Sequence, residues 1–308
     1  MTNKKFKLAA MSLATAVAVS TVGPSASAVT YQLEKGDVTV GQDGTGAYSY
    51  QNQTDGKTDN VYVDQDTQNN GQIIITQAEG TKTDNTVTVE EDVTNEKGKR
   101  DVDIILDGVN VNTSTQTEVS ADNKEDKTII KVGEGADVDL TVKDSKLTTG
   151  GNGIDIGVNL KDDDDNKETN VDLTLDNTKI NLTENATAGI NARDNSDVDI
   201  TLKGDNTIDG SEAIDKVTKD GEHDISEDNV NIEGIRVGGE GASDSSDANE
   251  GANTKLTISG GVEKTETAET DTEETESSAG GSLTISDTTG GLVMADGSDV
   301  EITDGADV

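Results

Sequence analysis

The chain has 308 residues, a formal net charge of −39, one proline, one histidine and no cysteine. That charge excludes nucleic acid as a partner, because binding to phosphate depends on Lys and Arg neutralising the backbone. The lack of cysteine excludes a disulfide framework and thiolate metal sites. An apolar share of 30% with 2% aromatics would suit a disordered chain, but the Val, Ile and Leu residues fall in short alternating runs, which is the pattern of β-strands.

Residues 1–28 read as an export signal. Lys4, Lys5 and Lys7 give a basic start, Leu8 to Val22 is apolar, and Pro24 with "SASA" offers a cleavage point after Ala28. The apolar run is about 15 residues, short of the roughly 20 needed to span a bilayer. The mature chain is therefore expected to be secreted or displayed at the cell surface, with no transmembrane segment. Residues 29–70 contain all four tyrosines, Tyr31, Tyr48, Tyr50 and Tyr62, and "AYSYQNQTDGKTDNVYV" alternates Tyr with polar residues. This stretch is expected to form edge strands that cap the N-terminal end.

From residue 71 to residue 308 one phrase recurs: "DVDIILDG" from Asp101, "DVDLTVKD" from Asp137, "NVDLTLDN" from Asn170 and "DVDITLKG" from Asp197, with weaker copies in "TKLTIS", "GSLTIS" and "DVEITD". A shorter apolar run precedes it by eight residues, as Ile130 precedes Val138 and Ile190 precedes Val198. Ile130 to Ile154 spans 24 residues, and so does Ile190 to Ile214. Longer intervals carry charged inserts, such as "KDDDDNKET" from Lys161. A constant step near 24 residues, with short strands and no helical period, predicts an all-β fold: a right-handed single-stranded parallel β-helix with polar loop insertions. A leucine-rich repeat would need an L-x-x-L-x-L-x-x-N frame, which the phrase lacks. The last phrase, "DVEITDGADV", has no capping segment after it, so the β-helix is expected to continue past Val308 in a longer protein.

Alignment of the copies places Ile104, Leu140, Leu173, Ile200, Leu256 and Leu283 in one inward column. Leu106, Val142, Leu175, Leu202, Ile258 and Ile285 form the next. The outward columns between them are chemical. Asp103, Asp139, Asp172 and Asp199 form a file of carboxylates; Thr141, Thr174, Thr201, Thr257 and Thr284 form a file of hydroxyls. Strands stacked about 4.8 Å apart hold like charges at a spacing that destabilises the sheet. A divalent cation with oxygen ligands relieves that repulsion, so Ca²⁺ is the expected cofactor and the four aspartates are its candidate ligands. Thr141, Thr174 and Thr201, with Tyr48, Tyr50 and Tyr62, are the candidate ligand-binding residues. Such a wall suits a polysaccharide or cell-surface glycan, above all a hydrated or cation-bridged acidic polymer.

Catalytic chemistry is thin. His223 sits in the polar insert "DGEHDIS", and Arg100, Arg193 and Arg236 are isolated in sequence. Lys143 and Lys203 alternate with Asp107 and Asp176 in one column, the pattern of cross-strand ion pairs. "GGNGIDIG" from Gly150 is a single unit of the calcium-binding nonapeptide pattern, with Gly157 where an apolar residue belongs. No residue trio points to an enzyme.

The signal-like start, "GQIIIT", "DVDIILDGVNVNTS", "TIIKVGEGADVDLTVKDSKLT" and "ITLKGDNTIDG" together resemble the secreted carbohydrate-binding β-helix proteins of clostridia and related bacteria. The resemblance runs roughly from Gly71 to Val308. It implies a fold like that of the pectate lyases without the lyase function, calcium, and attachment to plant cell-wall or other surface polysaccharide. It implies no individual binding residue. An adhesin stalk with no glycan specificity and, more remotely, a polysaccharide lyase are the other readings.

Overall fold

The computed structural model of the protein describes residues 29–41, 47–52, 57–62, 73–93, 102–114, 127–160, 167–214, 232–238, 253–260, 281–295, 297–303 and 306–308. The export signal, Asp162 to Asp165, Arg100 and His223 lie outside them.

The described chain opens with β1 (Val29–Gln32), a 3-10 turn over Leu33–Lys35 and β2 (Val38–Val40). The hairpin of β3 (Ala47–Asn52) and β4 (Lys57–Tyr62) is antiparallel. β5 (Ile73–Thr76) and β6 (Val87–Val89) follow, and strands then arrive in threes. The first three are β7 (Val102–Asp107), β8 (Asn110–Asn112) and β9 (Ile130–Gly133). Next come β10 (Asp137–Lys143), β11 (Lys146–Thr149) and β12 (Ile154–Val158), then β13 (Thr169–Asp176), β14 (Lys179–Leu182) and β15 (Ala188–Ala192). β16 (Ser196–Lys203), β17 (Asp205–Asp209) and β18 (Glu233–Val237) form the fourth rung. β19 (Lys255–Gly260), β20 (Ser282–Ser286) and β21 (Gly290–Met294) form the fifth, and β22 (Asp299–Thr303) starts another.

The strands assemble into three sheets, and the chain visits them in fixed rotation. Sheet 1 has the order β1-β5-β7-β10-β13-β16-β19-β22, sheet 2 the order β8-β11-β14-β17-β20, and sheet 3 the order β4-β3-β2-β6-β9-β12-β15-β18-β21. Every pairing is parallel except β2 with β3 and β3 with β4. The all-β expectation is met, and the only α-helical piece among the described residues is a single turn at 211–214.

Sheet 1 shows why alternation produced these strands. Along β10 burial alternates at every residue, with Val138, Leu140 and Val142 inward. The core runs unbroken from Leu33 to Ile258 and Leu283, nearly all of it Val, Ile, Leu and Ala at 0–2% exposure. Burying each aliphatic side chain contributes roughly 2 kcal/mol.

Corners are built by residues that accept left-handed backbone. Gly108 (φ 68°), Asp144 (φ 47°), Asn177 (φ 52°) and Gly204 (φ 62°) turn successive rungs from sheet 1 to sheet 2. The backbone groups freed by that turn are met by a buried polar ladder. Ser145 Oγ accepts from the Val109 amide (3.2 Å) and donates to the Lys143 carbonyl (2.6 Å). Thr178 Oγ1 donates to the Val142 carbonyl (2.7 Å), and Asn206 Oδ1 accepts from the Thr178 amide (2.9 Å). Where the chain enters sheet 3, Gly153, Gly189 and Gly234 lie so close to the next rung that no side chain fits. A Cβ on Gly189 would stand 2.6 Å from Ile208 Cγ2 and 2.7 Å from the Gly234 carbonyl oxygen.

Three placements differ from the aligned phrases. Leu256 pairs with Val198, Thr257 with Asp199 and Ser259 with Thr201, so "TKLTIS" is shifted by two residues against its expected register. A slip of two preserves the in/out phase, and the hydrophobic pattern does not detect it. Leu283 and Ile285 belong to β20 in sheet 2, opposite Asn206 and Ile208, because an alternating strand has the same pattern on any wall. Ile214 lies in the helical turn at the margin of the core, and the sheet-3 partner of Ile190 is Ile235.

Gly189→Ala is expected to lower unfolding stability by about 1–3 kcal/mol through overpacking against Ile208 and the Gly234 backbone, measured by urea denaturation followed by far-UV circular dichroism. Wild-type stability in the variant would show that the rungs are not so tightly stacked.

Candidate functional site

Strand register decides which outward residues are neighbours. In sheet 1, Asp103 pairs with Asp139, Asp139 with Asp172, and Asp172 with Asp199. Two residues along, Ile105, Thr141, Thr174 and Thr201 stack likewise. The four predicted aspartates therefore stand in one file, side by side with Thr141, Thr174 and Thr201, whereas Thr257 lies in the aspartate file opposite Asp199 and Thr284 in sheet 2 opposite Thr207. Asp103 and Asp139 are half-buried and Asp172 and Asp199 exposed, so the file opens to solvent along its length. Beyond Asp199 it continues through Thr257 and Glu301.

The flanking positions on this face carry cations. Asp107, Lys143, Asp176 and Lys203 alternate in sign in register, as the sequence pattern predicts, although Lys143 Nζ lies nearest Asp144, at 3.8 Å. On the other flank Lys255 Nζ donates to Asp197 Oδ2 at 2.9 Å, an attachment that holds the lysine above its usual pKa range. The four central aspartates have no such alternation. They form a line about 4.8 Å per step, and among the described residues no three His, Cys, Asp or Glu side chains gather into a cluster that would hold a metal ion.

The tyrosines stand elsewhere. The backbone pairs Tyr50 with Val38, Tyr48 with Val61 and Tyr62 with Ala47, all in the antiparallel extension of sheet 3. The predicted threonines and tyrosines thus belong to two different sheets.

A third arrangement was not legible in the sequence. In sheet 3, Asp155, Asn191 and Arg236 occupy successive rungs of one outward file, yet each is nearly inaccessible. Asp155, 1% exposed, accepts four hydrogen bonds, each of 2.9 Å. The donors are Asn152 Nδ2, Asn191 Nδ2, Arg193 Nε and Arg193 Nη2. Arg236 is bonded to Glu233 in the same fashion, three residues away. Arg193 and Arg236, isolated in sequence, are thus the anchors of buried ion pairs. Asp155 is also the aspartate of "GGNGIDIG", so the oxygens that a calcium repeat would use are bound to Arg193 and two amides. Gly157 departs from that pattern for a backbone reason: its φ is +80°, at a break in register between β12 and β9. Alternation marks this file as outward, which normally means solvent; its burial is a property of the assembled fold.

Sheet 2 carries Asp209, whose Oδ1 accepts from the Ser211 amide at 3.0 Å and whose Oδ2 lies 3.8 Å from Lys179 Nζ. The Ser211 backbone bond above all, helped by the Ser211 hydroxyl and Lys179 and opposed by burial, holds its carboxyl below the usual aspartate value.

No family model, curated protein or solved structure matches the chain. Among the described residues no helix is long and apolar enough to cross a membrane.

Arg193→Ala is expected to destabilise the protein by about 3–5 kcal/mol, because it leaves the Asp155 carboxylate buried without its cation, whereas Asp155→Asn combined with Arg193→Met, which removes both charges and keeps an oxygen acceptor for the Asn152 and Asn191 amides, recovers part of the loss. Chemical denaturation of the three proteins checks this, and a double variant no better than the single one refutes it. The depressed value of Asp209 means that its contribution is complete above the ordinary aspartate range and is lost as pH falls through the lower folded value. Asp209→Asn should accordingly flatten the acid limb of the stability–pH curve below about pH 4, read by thermal melts across that range.

Proposed function

We propose that the chain is a non-catalytic carbohydrate-binding protein, secreted or displayed at the cell surface. In this reading the rotation through three parallel sheets is a right-handed parallel β-helix. Its sheet-1 wall binds an acidic or plant cell-wall polysaccharide with the help of Ca²⁺. The observation that carries the reading is the in-register file Asp103–Asp139–Asp172–Asp199 beside Thr141–Thr174–Thr201.

The physical argument runs from repulsion to ligand. Carboxylates on adjacent strands disfavour one another, and the alternation that neutralises the flanking files is missing from the central one. Hard divalent cations take carboxylate oxygens readily and keep further positions for water or a ligand. Calcium held between neighbouring rungs would present those positions to the carboxylates or hydroxyls of a sugar chain, and the adjacent threonine hydroxyls would donate to and accept from it. Because the file is a straight line, the fitting ligand is a polymer lying along it. The export-like residues 1–28 and the likeness of the repeated phrases to secreted clostridial carbohydrate-binding proteins support the same reading.

Retention of the mature protein on polygalacturonate and on cellulose, in calcium and in EGTA, tests it. Calcium-dependent retention is expected on the acidic polymer, with loss of that component in Asp139→Asn/Asp172→Asn. If no glycan retains the protein in calcium, the reading fails and a stalk role takes its place.

A further inference from the structure

We propose that the outward face of sheet 2 is a second glycan-binding surface, one that engages the carboxylates of a uronate polysaccharide through Lys146 and Lys179 and needs no divalent cation. It extends the polysaccharide reading to a different wall and so rests on that reading.

The chain as a whole repels polyanions, with 63 acidic against 24 basic residues. Sheet 2 departs from that balance. Its central outward positions on β11, β14 and β17 are Lys146, Thr148, Lys179, Asn181, Thr207 and Asp209, in two in-register files. The single carboxylate among them is already engaged by the Ser211 amide; Asp205 stands apart at the leading end of β17.

Lys146 and Lys179 are direct cross-strand partners, and both are exposed. Two ammonium groups on adjacent strands weaken the sheet, and among the described residues a carboxylate offsets only one of them. Lys179 lies 3.8 Å from Asp209, and Lys146 makes no ion pair among the described residues. At physiological ionic strength fields decay within about 8 Å, so a polyanion on this wall responds mainly to the charges the wall itself carries, Lys146 and Lys179 against Asp205 and the already bonded Asp209. Flanking amide and hydroxyl groups, with Asn181 Nδ2 donating to Thr148 Oγ1 at 3.2 Å, offer the donors and acceptors that orient sugar hydroxyls. Anions on a chain running across the rungs would meet one lysine on each of two successive rungs, at β11 and β14.

Binding of the mature protein to polygalacturonate in EGTA, measured by isothermal titration calorimetry, separates the two walls. A chelator-resistant component is expected in the wild type and in Asp139→Asn/Asp172→Asn. It should disappear in Lys146→Gln/Lys179→Gln and weaken as NaCl rises from 0.15 to 1 M, where the screening length shrinks to about 3 Å. Lys143→Gln/Lys203→Gln on sheet 1 removes the same charge and should leave it intact. Calcium-dependent binding with no chelator-resistant component overturns this proposal and leaves the sheet-1 reading standing. So does a resistant component that survives Lys146→Gln/Lys179→Gln, or one lost equally in the sheet-1 lysine control. Absence of binding in either condition ends both.

Discussion

Apart from the N-terminal hairpin and the strands at the sheet ends, each strand is hydrogen-bonded to the equivalent strand one rung before and one rung after, in parallel and nearly always in register. Every side chain is consequently stacked on its counterpart, and whatever stands at one position is repeated about 4.8 Å further along. Inward, this repetition is favourable: like aliphatic residues pile into columns and leave water. Outward, it is favourable only where neighbours are neutral or opposite in charge. Core and surface are two consequences of the same stacking.

The three walls meet the outward constraint differently. Sheet 1 neutralises its flanking files, where Asp107, Lys143, Asp176 and Lys203 alternate, but keeps four aspartates in line at the centre. Sheet 2 keeps two lysines side by side. Sheet 3 pairs opposite charges and then buries them, as with Asp155 and Arg193. A buried pair of this kind is a poor source of net stability but a strong specifier of arrangement, since losing either partner strands a charge. The contrast is one of exposure: the charged groups of sheet 3 are bonded to one another inside the fold, whereas Asp172 and Asp199 of sheet 1 and Lys146 and Lys179 of sheet 2 reach solvent.

Corners and glycine contacts set the limits of this scheme. A left-handed residue followed by a small buried polar one, as in Asp144–Ser145 and Asn177–Thr178, lets the chain change sheet without orphaning its amides. Glycines at the entry to sheet 3 let Ile180 and Ile208 approach the opposite backbone, so the core closes tightly at that edge.

The sequence by itself determined the strands, their alternation and the sheet-1 files, because a period of two fixes which face each residue takes and repeated phrases fix which residues correspond. That is why the register of Asp103, Asp139, Asp172 and Asp199 is legible from the repeated phrases. It did not determine register where a phrase is weak: a slip of two leaves the pattern unchanged, and Leu256 and Thr257 stand one in/out period away from their aligned positions. It did not distinguish one wall from another, since the alternation of β20 in sheet 2 is that of a sheet-1 strand. Nor did it reveal the Asp155–Arg193 and Glu233–Arg236 pairs, since alternation marks such residues only as outward. Only the tertiary structure decided that the outward residues of β12, β15 and β18 are shielded from water, because the groups that close over Asp155 come from the next rung, in Asn191 and Arg193, and not from the periodicity of the strand itself.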